Sequence, residues 1–257
     1  MEYNIEHGFH SSGHVLDPTR VAAAQRVVAQ EHPDILVLIE ACYGQANDYC
    51  KPMNYSEIFD FPHSFHVSYS FRGKLPIGGH SVLSNREFKG EEIFLSNKKG
   101  IRASIPLDGR VLTLDAVHPS PSISDDKKLE SIQPLLRSKK VPYIITGDFN
   151  ALSPDDSYDE GLLAEELKVF PVDVSVSDWL KCKVVRGIFD SGLKDALHPS
   201  KRTSTVPTYI EGRRKIGTRI DYMFITPEIK VIDSYVIKTA DTNIASDHFP
   251  LVGIFEF

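Results

Sequence analysis

The chain has 257 residues, of which 41% are hydrophobic, 25% charged and 10% aromatic, the profile of a globular protein that buries its own core without disulfide or metal staples. Its 29 basic and 35 acidic side chains leave a net charge of −6, which excludes an open, sequence-blind nucleic-acid coat but not a local basic groove beside an acidic metal site. The 3 cysteines are few and odd in number, which argues against a disulfide framework.

The opening run Tyr3-Asn4-Ile5 predicts a first strand that is short, or whose start lies upstream of Met1. Asp17-Pro18 reads as an N-cap with proline in the first turn, and Val21, Ala24 and Val28 follow at helical spacing. His32-Pro33 ends that helix, because the residue before a proline disfavours the helical region. Asp34 to Glu40 predicts a short buried strand closed by a carboxylate. Its aliphatic core, Ile35 to Ile39, is far short of the roughly 20 apolar residues that cross a bilayer. Further strands are expected at His80 to Ser84, Ile101 to Leu107, Val111 to His118, Val141 to Thr146, Arg219 to Thr226, Val231 to Ile237 and Phe249 to Phe257. Helical patterns cover Asp126 to Lys139, with Pro134 an awkward member, and Ser177 to Ser191. No repeat, low-complexity tract or long linker interrupts the chain. Strands and helices mix without the strict alternation of a doubly wound sheet, so two packed sheets flanked by helices are expected, in one domain over residues 1–257. No secretory leader pattern opens the sequence. The expectations are therefore a reducing cytoplasm, no transmembrane segment and a monomer.

Polar residues interrupt the apolar strands at particular places. Asn4 follows the first few residues, Glu40 closes the aliphatic run and His118 closes Val111 to Val117. Asp148 and Asn150 close Val141 to Gly147, Asp221 sits within Arg219 to Ile225, and Asp247-His248 opens the last strand. Strand ends of stacked sheets converge on one rim, so residues remote in sequence can share a cleft. If Gly147-Asp148-Phe149-Asn150 is extended, Asp148 and Asn150 point to one side while Phe149 faces the core. Taken singly, a strand-end Asn or Asp is usually a turn former, and a lone His there is more often an edge residue than a catalyst. Asp221 differs, because an acid inside an aromatic and aliphatic strand is costly unless a cation or strong donor pairs with it.

Taken together, these pieces resemble the endonuclease/exonuclease/phosphatase superfamily of metal-dependent phosphoesterases. The matching segments are Tyr3-Asn4-Ile5 with Gly8, the strands ending in Glu40 and His118, Gly147-Asp148-Phe149-Asn150, Arg219-Ile220-Asp221-Tyr222 and Ser246-Asp247-His248-Phe249-Pro250-Leu251. They occur in the family's order along nearly the whole chain. The resemblance implies a four-layered α/β/β/α sandwich (DNase I-like), with the site at one rim of two mixed, mainly antiparallel sheets. It implies Mg2+, with Mn2+ as a substitute, held by Glu40 with Asn4 beside it and Asp247 as a further ligand. It implies that Asp148 orients or deprotonates the attacking water and that Asn150 holds that water or a phosphate oxygen. Asp221 would pair with His248 and favour its protonated form, and His118 would donate to a phosphoryl oxygen or the leaving group.

Several positions depart from the family pattern. Glu40 follows Ile39 where many members have glutamine. Pro119-Ser120-Pro121 stands after His118 where apurinic endonucleases usually carry a tyrosine and an asparagine, and this disfavours the abasic-site reading. Basic residues cluster at Arg72 with Lys74, at Lys201-Arg202, and at Arg213-Arg214-Lys215. Arg72, Lys74, Arg213 and Arg214 are the candidates for holding the non-reacting part of an anionic substrate, with solvated loop charges as the alternative. His7, His10 and His14 have a spacing that suggests zinc, but Gly8 and Gly13 break the helix such a site would need. The expected function is magnesium-dependent, nuclease-like phosphodiester hydrolysis, on nucleic acid or another anionic phosphate ester. A phosphatase or phospholipase-type hydrolase acting on a small or lipid phosphate ester is the second reading, and a binding module that kept only the fold is the third.

Overall fold

A computed structural model describes residues 1–10, 15–41, 53–72, 75–95, 98–169, 175–206, 209–210, 213–214 and 217–257. Two six-stranded sheets stack face to face. The first runs β13 (Lys230–Val236), β14 (Leu251–Glu256), β1 (Glu2–Asn4), β2 (Ile35–Ile39), β4 (Leu75–Ser84) and β3 (His63–Arg72). The second runs β5 (Lys89–Leu95), β6 (Lys98–Leu107), β7 (Arg110–Val117), β8 (Tyr143–Asp148), β12 (Asp221–Ile225) and β9 (Lys194–Asp195). A small separate ribbon joins β10 (Tyr209–Ile210) to β11 (Arg213–Arg214).

Each large sheet has one parallel pair at its centre, β1 with β2 and β7 with β8, and antiparallel partners elsewhere. A parallel pair needs a crossover, and helices supply both: α2 (Pro18–Glu31) between β1 and β2, and α4 (Asp125–Arg137) between β7 and β8. Asp17 caps α2 as its side chain accepts from the Thr19 and Arg20 amides, and Ser124 caps α4 by accepting from Lys127. Pro134 continues α4 from its exposed face, where the carbonyl it leaves unpaired can meet water.

Three apolar layers follow from period-two alternation. In β2, Leu36 and Leu38 pack toward α2, while Val37 and Ile39 pack between the sheets. In β8, Tyr143 and Ile145 pack toward α4 and α7 (Lys183–Asp190), while Ile144 faces the inter-sheet layer. The short helices α3 (Tyr55–Phe59) and α8 (Ala240–Ala245) join α2 on the outer face of the first sheet. The outcome is the α/β/β/α sandwich.

Some boundaries differ from the sequence expectation for identifiable reasons. The helix expected over Ser177 to Ser191 is two helices, α6 (Val176–Trp179) and α7, because Cys182 between them takes a left-handed φ of 51°. The strand at His80 is the second half of the longer β4, paired along its length with β3. A turn α1 (Glu6–Phe9), β3, β5 and α5 (Glu160–Val169) lie in segments whose mixed polarity gives no clear period.

Candidate active site

The topology explains where the polar strand-end residues go. The carboxyl ends of β1, β2, β7 and β8 open on one rim of the sandwich. The amino ends of their antiparallel neighbours open there too, so Asp221 pairs with Asp148 and His80 with Ile39. Alternation then selects the face. Asn4, His118, Asp148 and Asp221 keep the parity of residues that pack between the sheets, so all four project into the inter-sheet layer where it meets the rim. Glu40 would break that pattern, but its backbone at φ 59° ends the strand and turns the side chain.

Asp148 sits at the centre and is buried. Its Oδ1 accepts the Asn150 amide at 2.8 Å, and its Oδ2 accepts from Asn4 Nδ2 at 3.2 Å. His118 Nε2 lies 3.5 Å and His248 Nε2 4.0 Å from the same Oδ2. Burial, and next the Asp221 carboxylate, push Asp148 up to about 7, against the pull of His248 and the Asn150 amide. His248 Nδ1 donates to Asp221 Oδ2 at 2.8 Å. Burial alone would lower this imidazole, but Asp221, with Asp247 and Asp148, outweighs it and holds His248 well above its ordinary value. The buried Asp221 therefore has its cation. His118 goes the other way: burial and the nearby Lys98 keep it neutral, a donor without charge.

Glu40 forms the open side of the cluster, with its side chain 21% exposed. Its Oε2 accepts the His7 amide at 3.1 Å and lies 3.3 Å from His7 Nδ1, while Oε1 faces His118 Nε2 at 3.9 Å. Although burial raises it, His7, Lys98 and His248 bring Glu40 below its usual range and keep it ionised. Asp247 is exposed beside this opening, with Oδ1 3.9 Å from His248 Nε2. The loop before it is pinned by Ser246 Oγ, which donates to the Asn4 carbonyl at 2.7 Å.

The structure thus brings together Asn4, Glu40, His118, Asp148, Asp221, Asp247 and His248. Asn150 is placed differently from the extended expectation. Its φ of 49° turns the chain after Asp148, its Nδ2 donates to the Pro119 carbonyl at 3.1 Å, and its own carbonyl accepts from the buried Lys128 at 2.7 Å. Phe149 is fully buried, as expected.

Around the rim, Arg72 ends β3 at the β3–β4 hairpin, and Arg213 and Arg214 form β11. The Thr205 amide donates to Thr218 at 3.0 Å, closing the base of the segment that carries β11 beside Asp221, whose amide donates to Thr205 Oγ1. Lys74, Lys215 and His14 lie outside the described residues. Lys201 is engaged with Asp233, and Arg202 lies 3.1 Å from Asp155, so these two serve ion pairs at the surface. His10 Nδ1 contacts the His7 carbonyl at 2.9 Å while His7 faces Glu40, so the two rings do not converge on a common point.

Four further residues join the cluster that the strand-end pattern did not reveal. Lys98 opens β6 at this rim, and its charge acts on Glu40, Asp148 and His118; burial pushes it down to about 8 against the pull of the two carboxylates. His80 is buried behind His118, ring centroids 6.1 Å apart. Glu2 is buried on β1, and neither of its carboxyl oxygens has a hydrogen-bond partner among the described residues. Burial, with Asp221 next, raises it well above its usual range, so it is a neutral acid beneath the site. His7 becomes relevant through Glu40. Glu2 was readable from alternation with Asn4; Lys98 and His80 needed the strand pairing.

The donors around the opening are hard oxygens from Glu40, Asn4 and Asp247, with surplus carboxylates behind them, a set that suits magnesium. Asp148, Asp221 and His248 each offer a ligand atom within 4.8 Å of one another. That geometry alone permits a metal, but His248 Nδ1 is committed to Asp221 and its ring is protonated, so the trio is better described as a charge-paired relay.

The model of the Endonuclease/Exonuclease/phosphatase family matches residues 1–248, which takes in every residue of the rim cluster. The chain belongs to that family. Its members hydrolyse phosphate esters, and the fold recurs in solved structures. An AP endonuclease from Archaeoglobus fulgidus is similar at TM-score 0.68 and 20% identity, over 100% of this chain and 98% of that one. A family protein from Leptotrichia buccalis is similar at TM-score 0.69 and 17% identity, over 100% and 98%. A mannosyl-6-phosphatase from Bacteroides thetaiotaomicron is similar at TM-score 0.63 and 16% identity, over 100% and 98%. At these identities the likeness is one of fold. No curated protein matches the chain. No helix among the described residues is long and apolar enough to cross a membrane.

Proposed function

We propose that this protein is a magnesium-dependent phosphodiesterase of nuclease-like type, with Mn2+ able to substitute. The observation that carries the reading is the convergence of two histidines on one buried carboxylate. His118 Nε2 and His248 Nε2 lie 3.5 and 4.0 Å from Asp148 Oδ2, and His248 Nδ1 is bonded to Asp221, which pushes its value up while burial lowers His118. Hydrolysis of a phosphate ester needs an in-line water, a base for its proton and donors for the phosphoryl oxygens. Asp148 orients that water and accepts its proton at Oδ2. The Asn150 amide and Asn4 Nδ2 keep that carboxylate in place. His248 donates through Nε2 to a phosphoryl oxygen, and Asp221 is the positioning residue that fixes its ring. His118 donates from a neutral ring, and Lys98 adds positive charge at the same rim. Glu40, with Asn4 and Asp247, would hold Mg2+, which when bound would supply charge neutralisation at the phosphoryl group. Arg72, Lys74, Arg213 and Arg214 would hold the remainder of an anionic substrate, nucleic acid included.

A phosphatase acting on a small or lipid phosphate ester is the second reading. It is favoured by Lys98 at the rim, which suits the extra charge of a monoester. The test is a panel of bis-p-nitrophenyl phosphate, p-nitrophenyl phosphate, single-stranded and duplex DNA, RNA, sphingomyelin and phosphoinositides, with and without magnesium. Diester cleavage supports the first reading, and cleavage of monoesters alone supports the second. Silence on every substrate would mean that only the fold was kept.

A further inference from the structure

The strand β1 is followed by a tight turn that buries Phe9 in the core against Phe59, and whose other residues face the site. Glu6, His7, Gly8 and Phe9 all take positive φ, at 40°, 52°, 63° and 67°, so α1 is a left-handed turn built mostly from non-glycine residues. L-residues avoid this region, and a run of them persists only where the surroundings over-determine it. Such runs concentrate at functional sites. Here the turn delivers the His7 amide and ring to Glu40 Oε2, at 3.1 and 3.3 Å, and the Glu6 amide to Asn4 Oδ1, at 3.1 Å.

Buried Phe9 and the Asp17 amide, which donates to the Phe9 carbonyl at 3.0 Å, anchor the far end of the turn, and one side chain restrains the near end. Arg20, in the first turn of α2 and only 11% exposed, spends its guanidinium on the backbone around this turn. Nη1 donates to the His10 carbonyl at 3.0 Å, and Nη2 to the carbonyls of Ile5 and Glu6 at 3.3 and 3.4 Å. Nε donates to the Ala245 carbonyl at 2.9 Å, two residues before Asp247, and Nη2 lies 2.8 Å from Glu6 Oε2. Ser246, between Ala245 and Asp247, returns to the Asn4 carbonyl. A single planar fork therefore ties together the backbone just after Asn4, the turn that aims at Glu40 and the loop that carries Asp247. An ammonium cannot reproduce this, because it is a point donor without a rigid fork.

We propose that Arg20 is a positioning residue for the cation site, holding the left-handed turn that orients Glu40 and, through the same guanidinium, registering Asn4 and Asp247. The inference rests on the reading that these three residues hold a divalent metal. Outer-shell partners of metal ligands, when removed, typically weaken metal affinity by about 10- to 100-fold, and Arg20 acts one step further out, through the backbone that neighbours Asn4, Asp247 and the turn on Glu40.

The experiment measures Mn2+ binding by electron paramagnetic resonance in the full chain, for wild type, Arg20→Lys and Arg26→Lys, with melting temperature as the folding control. Arg26 stands on the same helix and bonds Asp241 of α8 at the surface, so it reports on helix docking alone. Arg20→Lys should fold and bind Mn2+ about 10-fold or more weakly, while Arg26→Lys binds like wild type. Binding within two-fold of wild type in Arg20→Lys, or equal weakening in both variants, would overturn the positioning role. Wild type that binds no Mn2+ would instead overturn the metal reading and the inference with it. If Arg20→Lys fails to fold, Arg20→Gln replaces it: the shorter amide keeps one donor for the turn but loses the fork. Mn2+ affinity weakened by about 10-fold or more in a folded Arg20→Gln supports the role, and affinity within two-fold of wild type refutes it.

Discussion

Replacing Asp148 by asparagine should remove activity and, under defined conditions, make the protein more stable. Burial and Asp221 raise this carboxyl from its ordinary 3.8 to about 7. The folded state thus binds a proton that the unfolded chain has already lost, and stability falls as pH rises from about 4 through 7. At about 1.4 kcal/mol for each tenfold change in proton affinity, the ionised carboxylate costs the metal-free fold roughly 4 kcal/mol at pH 8. An amide carries no such charge. It keeps one oxygen for the Asn150 amide, but its NH2 meets Asn4 Nδ2, and two facing donors cost about 1–3 kcal/mol. The net gain at pH 8 is about 1–3 kcal/mol, a rise of roughly 2–10 °C in Tm for a chain of this length. Near pH 4 the wild-type carboxyl is protonated in the fold at little cost, so the gain vanishes or reverses. Scanning calorimetry in EDTA at pH 4.5 and pH 8 measures both. A Tm difference that is equal at the two pH values would refute the assignment of a strained, charge-crowded carboxylate at this position.

His248→Ala should lower turnover by about 10²–10⁴-fold and, by leaving Asp221 buried without its cation, cost about 3–5 kcal/mol. Thermal melts should recover part of that loss in the His248→Ala/Asp221→Asn pair. Because the His248 value is raised in the fold, its contribution to stability is complete below pH 6.5 and is lost as pH rises through the elevated folded value, so the wild-type advantage over His248→Ala should narrow on the alkaline side. Lys128→Met should destabilise by about 2–4 kcal/mol, since Lys128 bonds both the buried Asp125 at 3.1 Å and the Asn150 carbonyl. Chemical denaturation checks the magnitude, and an unchanged midpoint would show that the Asn150 turn holds itself. Lys98→Met should lower kcat/KM by about 10²-fold through loss of charge at the rim while leaving Tm unchanged or higher, read from steady-state kinetics and melting together.

Much of this site was legible in the sequence because its chemistry breaks an apolar pattern. Glu40 after five aliphatic residues, and Asp221 between Ile220 and Tyr222, are conspicuous against buried strands. His118 and Asp148 close such strands in the same way. What was not legible depends on tertiary pairing. Lys98 lies in a polar stretch and acquires meaning only because β6 runs antiparallel to β7. His80 has no partner visible from its neighbours, and the register with Ile39 brings it behind His118. The Asn150 turn defeated the extended expectation because a left-handed residue and a buried lysine from α4 override local alternation. The turn at Glu6 to Phe9 was hidden for the same reason, since a composition of one glycine in four residues gives no sign of four positive φ angles.

In the proposed reaction a divalent cation beside Glu40 works together with Asp148 on a phosphate ester. Hydrolysis of bis-p-nitrophenyl phosphate as a function of magnesium concentration, for wild type and Glu40→Gln, addresses it most directly. The expected result is no turnover in EDTA, saturable activation by magnesium in wild type, and activation in Glu40→Gln that needs about 10- to 100-fold more metal or fails altogether. Full turnover in EDTA, or identical activation curves for the two proteins, would contradict it.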